Sequence, residues 1–188
     1  MNTKTGILVG ILAVVLMMGL WMVGVYNDLV GKDQTVKQSW AQVENQLQRR
    51  YDLIPNLVST VKGYATHEKE LFENVTKARS AWSGAGNANE KIAASGQLEG
   101  FLSRLMVVVE NYPQLKAAEN FKALQDELAG TENRVAVARM RYNDIVTIYN
   151  TNAKSIPTVF FVNMFGFDKE KLFFQSVKEA GSAPNVKF

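Results

Sequence analysis

Apolar residues recur every three or four positions along most of this chain, after an opening stretch that is almost wholly apolar. That stretch, GILVGILAVVLMMGLWMVGVY at 6 to 26, lies in a run without charge between Lys4 and Asp28. About 20 apolar residues suffice for a helix to cross the hydrocarbon core of a bilayer, so residues 5–27 are predicted as a transmembrane anchor. A cleaved signal peptide has an apolar core of only about 7 to 15 residues and a small-residue cleavage site, and neither is evident. Trp21 and Tyr26 stand at one end, where amphipathic rings favour the headgroup layer. Lys4 and the α-amino group on one side, against Lys32 and Lys37 on the other, leave the positive-inside rule near a tie and the side undetermined. Among Gly6, Gly10, Gly19 and Gly24, the first two have the small-xxx-small spacing that lets helices approach closely, a pattern common by chance in such spans.

Beyond the anchor the periodicity is helical throughout. Val36, Trp40, Val43, Leu47, Tyr51 and Ile54 share one face of a first segment, about 27 to 53. Val58, Val61, Ala65, Phe72, Val75 and Trp82 form a second stripe, which the turn-rich SGAGNAN at 83 to 89 ends. A third segment, about 89 to 110, carries Leu98, Phe101, Leu102, Leu105, Val108 and Val109. It closes at NYP, because a residue before proline resists helical dihedrals. The fourth, about 115 to 152, keeps Ala117, Phe121, Leu124, Leu128, Val135, Tyr142 and Tyr149 on one face and passes through Gly130. No segment alternates with period two for long enough to suggest a sheet. The predicted fold is all-α, an N-terminal transmembrane helix followed by an antiparallel four-helix bundle with short connections.

Pro55 sets the main local question. Proline removes a backbone donor inside a helix but is accommodated in the first turn of a new one. RRYDLIPNL therefore predicts a corner between the first and second helices; the competing reading is one kinked helix from 27 to 82, which would give three helices.

Composition narrows the function classes. The 188 residues include 21 basic and 18 acidic ones, a net charge of +3, too slight for the electrostatic footprint of a nucleic-acid partner. With no cysteine and a single histidine, His67, thiolate chemistry, disulfides and lipoprotein attachment are excluded, and a histidine-rich metal site nearly so. HEKEL at 67 to 71 lacks the second histidine that a zinc-protease helix needs, because Leu occupies position 71. His67 is instead expected roughly opposite Trp40. No cofactor is implied, and the reading is not an enzyme.

Charges on the apolar stripes are the remaining candidates for a site. Arg50 falls between Leu47 and Ile54, Glu68 between Ala65 and Phe72, and Glu132 and Arg139 flank Val135. Buried without partners they would cost several kcal/mol each. Two readings follow: heads in water at the stripe edges, or a buried polar network of Arg50, Glu68, Glu132 and Arg139 that fixes helix register.

YNDLV at 26 to 30, SWAQVENQLQRRYDLIPNLVSTVKGYATHE at 39 to 68, NYPQLKA at 111 to 117 and LQDELAGTENRVAVARMRYNDIVTIYN at 124 to 150 together resemble the LemA family. The resemblance covers nearly the whole chain and implies a bacterial single-pass protein of the cytoplasmic (inner) membrane with a helical bundle. The chain then divides into an anchor at 5–27, a LemA-like bundle at 28–155 and a Phe-rich segment at 156–188. No enzymatic activity is established for the family. Its genes often neighbour those of membrane metalloproteases or TPM-domain proteins, which makes these candidate partners, beside the lipid bilayer and further copies of the chain. Two functions follow: an anchored scaffold or interaction module, or a membrane-active protein that self-assembles and binds or remodels lipid.

Six of the ten phenylalanines fall between 160 and 174. Counting back from distal turns near 53 and 115, Tyr26 of YNDLV and Tyr142 of YNDIV are each about 27 residues, roughly 40 Å, away and are expected at one level. The chain beyond would then bring Phe160, Phe161, Met164, Phe165, Phe167, Phe173 and Phe174 beside the headgroups, with Lys169 and Lys171 available to anionic lipid. The equal alternatives are that these rings cover the open end of the bundle or form a subunit interface.

Overall fold

A computed structural model describes residues 3–65 and 68–174. Among these every regular element is a helix: α1 Thr3–Asp52, α2 Ile54–Lys62, α3 Lys69–Gly84, α4 Ala88–Val109, α5 Pro113–Ala117, α6 Glu119–Lys154 and α7 Thr158–Met164. They fall into two compact units, one of residues up to Ser39 with Asn143–Leu172, the other of Trp40–Tyr142 with Phe173 and Phe174. The expected place of His67 and the last part of the Phe-rich segment, 175–188, lie outside the described residues.

In the second unit most positions of the predicted stripes become the core; Ala117 is exposed, with Leu115 buried near it in sequence. Val43, Leu47, Tyr51 and Ile54 are buried with Phe72, Val75, Ala78 and Trp82 of α3, Leu98, Leu102, Leu105 and Val109 of α4, and Phe121, Val135 and Tyr142 of α6. Directions follow from cross-helix contacts. Tyr51 meets Trp82 edge-on at 4.9 Å, and Arg79 Nε donates to the Tyr51 carbonyl at 3.2 Å. Lys91 pairs with Glu44 and lies over the Trp82 ring, so α4 starts beside α1 and runs the same way. Arg50 meets Glu132 and Trp40 meets Tyr142, so α6 runs back along α1. The result is an up-down-up-down bundle of α1 with α2, then α3, α4 and α6. By length and apolarity α4 could also cross a membrane, but it carries Glu99 and Arg104 and packs in this bundle.

Pro55 does not make the corner. Leu53 keeps right-handed helical dihedrals, φ −78° and ψ −20°, its N–H donates to the Arg50 carbonyl at 3.3 Å, and its own carbonyl accepts from Leu57 at 3.0 Å. The missing proline donor falls in the first turn of α2, where no intrahelical acceptor was waiting for it. The chain therefore continues through a one-residue interruption to Lys62 and reverses between Gly63 and Glu68, with Lys62 Nζ over the Phe72 ring across that turn. This also corrects the level assigned to Tyr142. With the turn moved on to Lys62, Trp40 lies 22 residues before it and Tyr142 lies 23 after Glu119, and these two rings meet at 5.6 Å. Tyr26 has different neighbours, Phe165 and Phe167.

The fourth segment also starts differently from expectation. Ala118 is extended, with φ −67° and ψ 127°, and separates the short α5 from α6. Thr131 is a buried polar residue on the α6 stripe, its hydroxyl donating to the Leu128 carbonyl at 2.8 Å.

In the first unit α1 is exposed through its apolar stretch, from Ile7 to Val23, and then buries Leu29 and Val36. Val146, Tyr149 and Ala153 of α6, and Thr158 and Val162 of α7, complete its interior.

The start of α4 is fixed by a reciprocal cap. The Asn87 side chain accepts from Glu90 N–H at 2.9 Å and donates to the Glu90 carboxylate at 2.7 Å, while the other carboxylate oxygen accepts from Gly86 N–H at 2.8 Å. Asn87→Ala is expected to lower stability by about 1 kcal/mol. Urea unfolding in mild detergent should show this as a lower midpoint at unchanged slope; an unmoved midpoint would mean that the cap contributes nothing.

Candidate functional site

Two polar constellations stand out, one in each unit. In the bundle, Arg50 is 8% exposed, held inward by its position between Leu47 and Ile54. Its guanidinium lies 3.6 Å from Glu99 and donates to Glu132 at 3.4 Å. Glu99 on α4 also takes Arg139 of α6 through both guanidinium nitrogens, and Arg139 lies 4.0 Å over the Phe174 ring. Three of the four charges expected in a network thus come together. Glu68 does not join them and stands at the N-cap of α3. The missing member was Glu99, which occupies the α4 stripe between Ser95 and Leu102, both buried; its sequence signal was the same as that of Arg50, a charge on an apolar face. Burial pushes the neighbouring Tyr51 phenol well above its ordinary pKa, with Glu99 adding to the rise and Arg139 and Arg50 opposing it.

In the first unit the chain after α7 is bound along α1 and α6. The Asn150 amide acts as a piece of backbone: its nitrogen donates to the Lys171 carbonyl at 2.9 Å, and its oxygen accepts from Lys171 N–H at 2.7 Å. Tyr149 donates its hydroxyl to the Asp168 carbonyl at 2.7 Å. Lys171 Nζ reaches Asp33 at 2.8 Å and Asp168 at 2.6 Å and lies over the Tyr149 ring. Lys37 takes the other oxygen of Asp33 at 2.8 Å. Burial alone would raise the Asp33 carboxyl, but Lys171 and Lys37 outweigh it and hold the pKa below the ordinary value. Burial likewise would lower Lys171, but Asp168 and Asp33 outweigh it and raise the pKa.

The expected aromatic contacts separate. Phe161 meets Trp21 edge-on at 5.6 Å and stacks on Phe165 at 5.9 Å, while Phe165 and Phe167 meet Tyr26 at 5.0 and 6.0 Å. Phe160 is 68% exposed. Phe174 is instead buried in the bundle unit, stacked on Trp40 at 6.3 Å, with Phe173 half-exposed beside it in sequence. Lys171, expected to be available to anionic lipid, is instead engaged by two carboxylates.

Among the described residues no three His, Asp or Glu side chains converge where they could hold a metal ion. The bundle has a half-open groove of about 850 Å³ between α4 and α6, its apolar lining including Leu57, Leu102, Met106, Val107 and Leu128, and its charged lining Arg50, Glu99 and Glu132. The arrangement offers surfaces and fixed charges.

Two outcomes follow. Glu99→Gln leaves Arg50 and Arg139 short of a carboxylate and is expected to cost about 2 kcal/mol or more, with a coupling to Arg50→Met above about 1 kcal/mol in a double-mutant cycle. The exposed Arg49–Glu127 pair, 3.8 Å apart, should couple by less than about 1 kcal/mol under the same conditions; equal couplings would remove the network's special status. Asp33 has a lowered folded pKa, so its contribution is present above the ordinary value of about 3.9 and lost as the pH falls through the folded one, whereas the contribution of Lys171, raised, is present below about 10.4 and lost above the folded value. The thermal midpoint of the intact chain should exceed that of Asp33→Asn at about pH 6, and the gap should shrink as the pH falls below the ordinary carboxylate range; a constant gap would exclude Asp33 as the titrating group.

Comparison with known proteins agrees with this picture of a helical chain. Magnetosome protein MamQ 2 of Paramagnetospirillum magneticum is 26% identical over 187 residues, covering 86% of this chain and 68% of that protein. Magnetosome protein MamQ of Magnetospirillum gryphiswaldense matches with the same identity and coverage. Protein LemA of Metamycoplasma hominis is 23% identical over 130 residues, 69% of this chain and 59% of that protein. Residues 39–188 match the sequence model of the LemA family, and the chain belongs to that family.

Proposed function

We propose that this protein is a single-pass scaffold of the bacterial cytoplasmic membrane, whose bundle presents an interaction surface and performs no chemistry of its own. The observation that carries this is the continuity of α1, one helix from Thr3 to Asp52. The same element that is apolar and exposed from Ile7 to Val23 supplies Val43, Leu47 and Tyr51 to the bundle core. Relatives named as magnetosome proteins and as LemA are compatible with this reading. A membrane metalloprotease, a TPM-domain protein or another envelope protein is the partner class this reading calls for.

The second reading, self-assembly on lipid with remodelling of the bilayer, draws on the apolar surface that α7 leaves exposed. Capture of the full chain from gently solubilised membranes separates the two. A different envelope protein retained at fixed stoichiometry supports the scaffold, while large homo-oligomers that reshape vesicles support the second reading and overturn the first. Anchoring has its own check: Val14→Arg with Met18→Arg costs about 3 kcal/mol per charge at the centre of a span. The variant should leave the membrane fraction on alkaline extraction, whereas the unaltered chain stays; equal retention would count against residues 5–27 as the anchor.

A further inference from the structure

The short helix α7 has three sides with different fates. Thr158 and Val162, one turn apart, are buried in the first unit. Phe161 and Phe165, also one turn apart, lie against Trp21 and Tyr26 of α1. Phe160 and Met164, one turn apart on α7, are 68% and 56% exposed, and Ile156, in the turn that precedes the helix, is 79% exposed. No charged residue occurs from 155 to 167, so α7 itself adds no charge to this outward side. Two large apolar side chains exposed on one helix face, with a third exposed just before it, are the kind of surface that marks an interaction.

The occupant follows from what α7 touches. Trp21 lies seven residues before Asp28, the first charge after the apolar stretch, which is about 10 Å along a helix. The polar headgroup layer on each side of a bilayer is roughly 5 to 8 Å deep. With α1 spanning, the Trp21–Phe161 contact fixes α7 near the boundary of headgroups and acyl chains, the depth at which amphipathic helices lie. Lys32, Lys154 and Lys171 are paired with Asp28, Glu170, and Asp33 with Asp168, while Lys169 is exposed; the contact that α7 itself offers is apolar. We infer that α7 is a second, monotopic membrane contact: Ile156, Phe160 and Met164 enter the acyl boundary of the bilayer that α1 crosses, and the chain from 165 to 172, held by Asn150 and Asp33, keeps the helix there. The inference rests on the anchoring proposed above.

The chain has no cysteine, so one introduced cysteine is a unique label site. Nitroxide is attached in turn at Phe160→Cys, Met164→Cys, Leu12→Cys within the apolar stretch, and Asp126→Cys on the exposed face of α6, with the full chain in phosphatidylcholine vesicles free of anionic lipid. The readout is collision with oxygen relative to collision with a water-soluble nickel chelate. The expected ratio at 160 and 164 is several-fold above that at 126 and below that at 12. Ratios at 160 and 164 equal to 126, with 12 still high, overturn the inference and leave the anchor standing. A low ratio at 12 overturns the anchor and the inference with it. Labels at 160 and 164 shielded from both reagents mean that protein, such as a second copy, covers the face, which also overturns a lipid contact. Both side chains are exposed, so the labels displace no core, and matching circular dichroism across the set confirms folding.

Discussion

Everything in this protein hangs on one uninterrupted helix meeting two kinds of surroundings. A helix satisfies its own backbone hydrogen bonds, so α1 can present bare apolar side chains in one stretch and core side chains in another without stranding a polar group. Proline at 55 leaves this continuity almost intact, because its missing donor falls in the first turn of α2 and Leu53 stays helical. The first arm of the bundle therefore runs to Lys62, and the partners of α3 and α6 are set by that length.

Within the bundle, apolar burial supplies affinity between helices but little choice of register. A stripe of Val and Leu tolerates sliding by a turn better than a charge does. Glu99 meets an arginine from α1 and one from α6, and displacement of either helix by a turn would strand a half-buried guanidinium. Buried ion pairs commonly gain little over apolar packing, and we propose that this network serves register more than net stability.

The first unit solves a different problem. An extended segment carries unpaired backbone groups and needs partners that a helix, already satisfied, cannot offer from its main chain. Asn150 supplies them from its side chain, giving one donor and one acceptor to Lys171, and Lys171 with Lys37 balances the carboxylates of Asp33 and Asp168. The LemA-family match over 39–188 includes both the bundle and this segment.

Periodicity alone determined that the regular elements among the described residues are helices, that the first stretch could cross a bilayer, and most of which faces become the core, because these depend on side-chain spacing within one element. The long agreement of RRYDLIPNLV and its neighbours with one family pointed to LemA. Charges on apolar faces were legible one helix at a time, so Arg50, Glu132 and Arg139 were named; Glu99 carried the same signal on α4 and was passed over, and that it joins the two arginines could not be read from any one helix. The place of the first turn was misjudged because a proline's effect depends on where the helix it enters begins, which no local rule states. Phe174 buried on Trp40, Lys171 closed between two aspartates, and α7 against Trp21 were decided only by tertiary structure. Each includes a contact between residues more than a hundred positions apart, and such contacts are chosen by which surfaces remain to be covered once the long helices have packed.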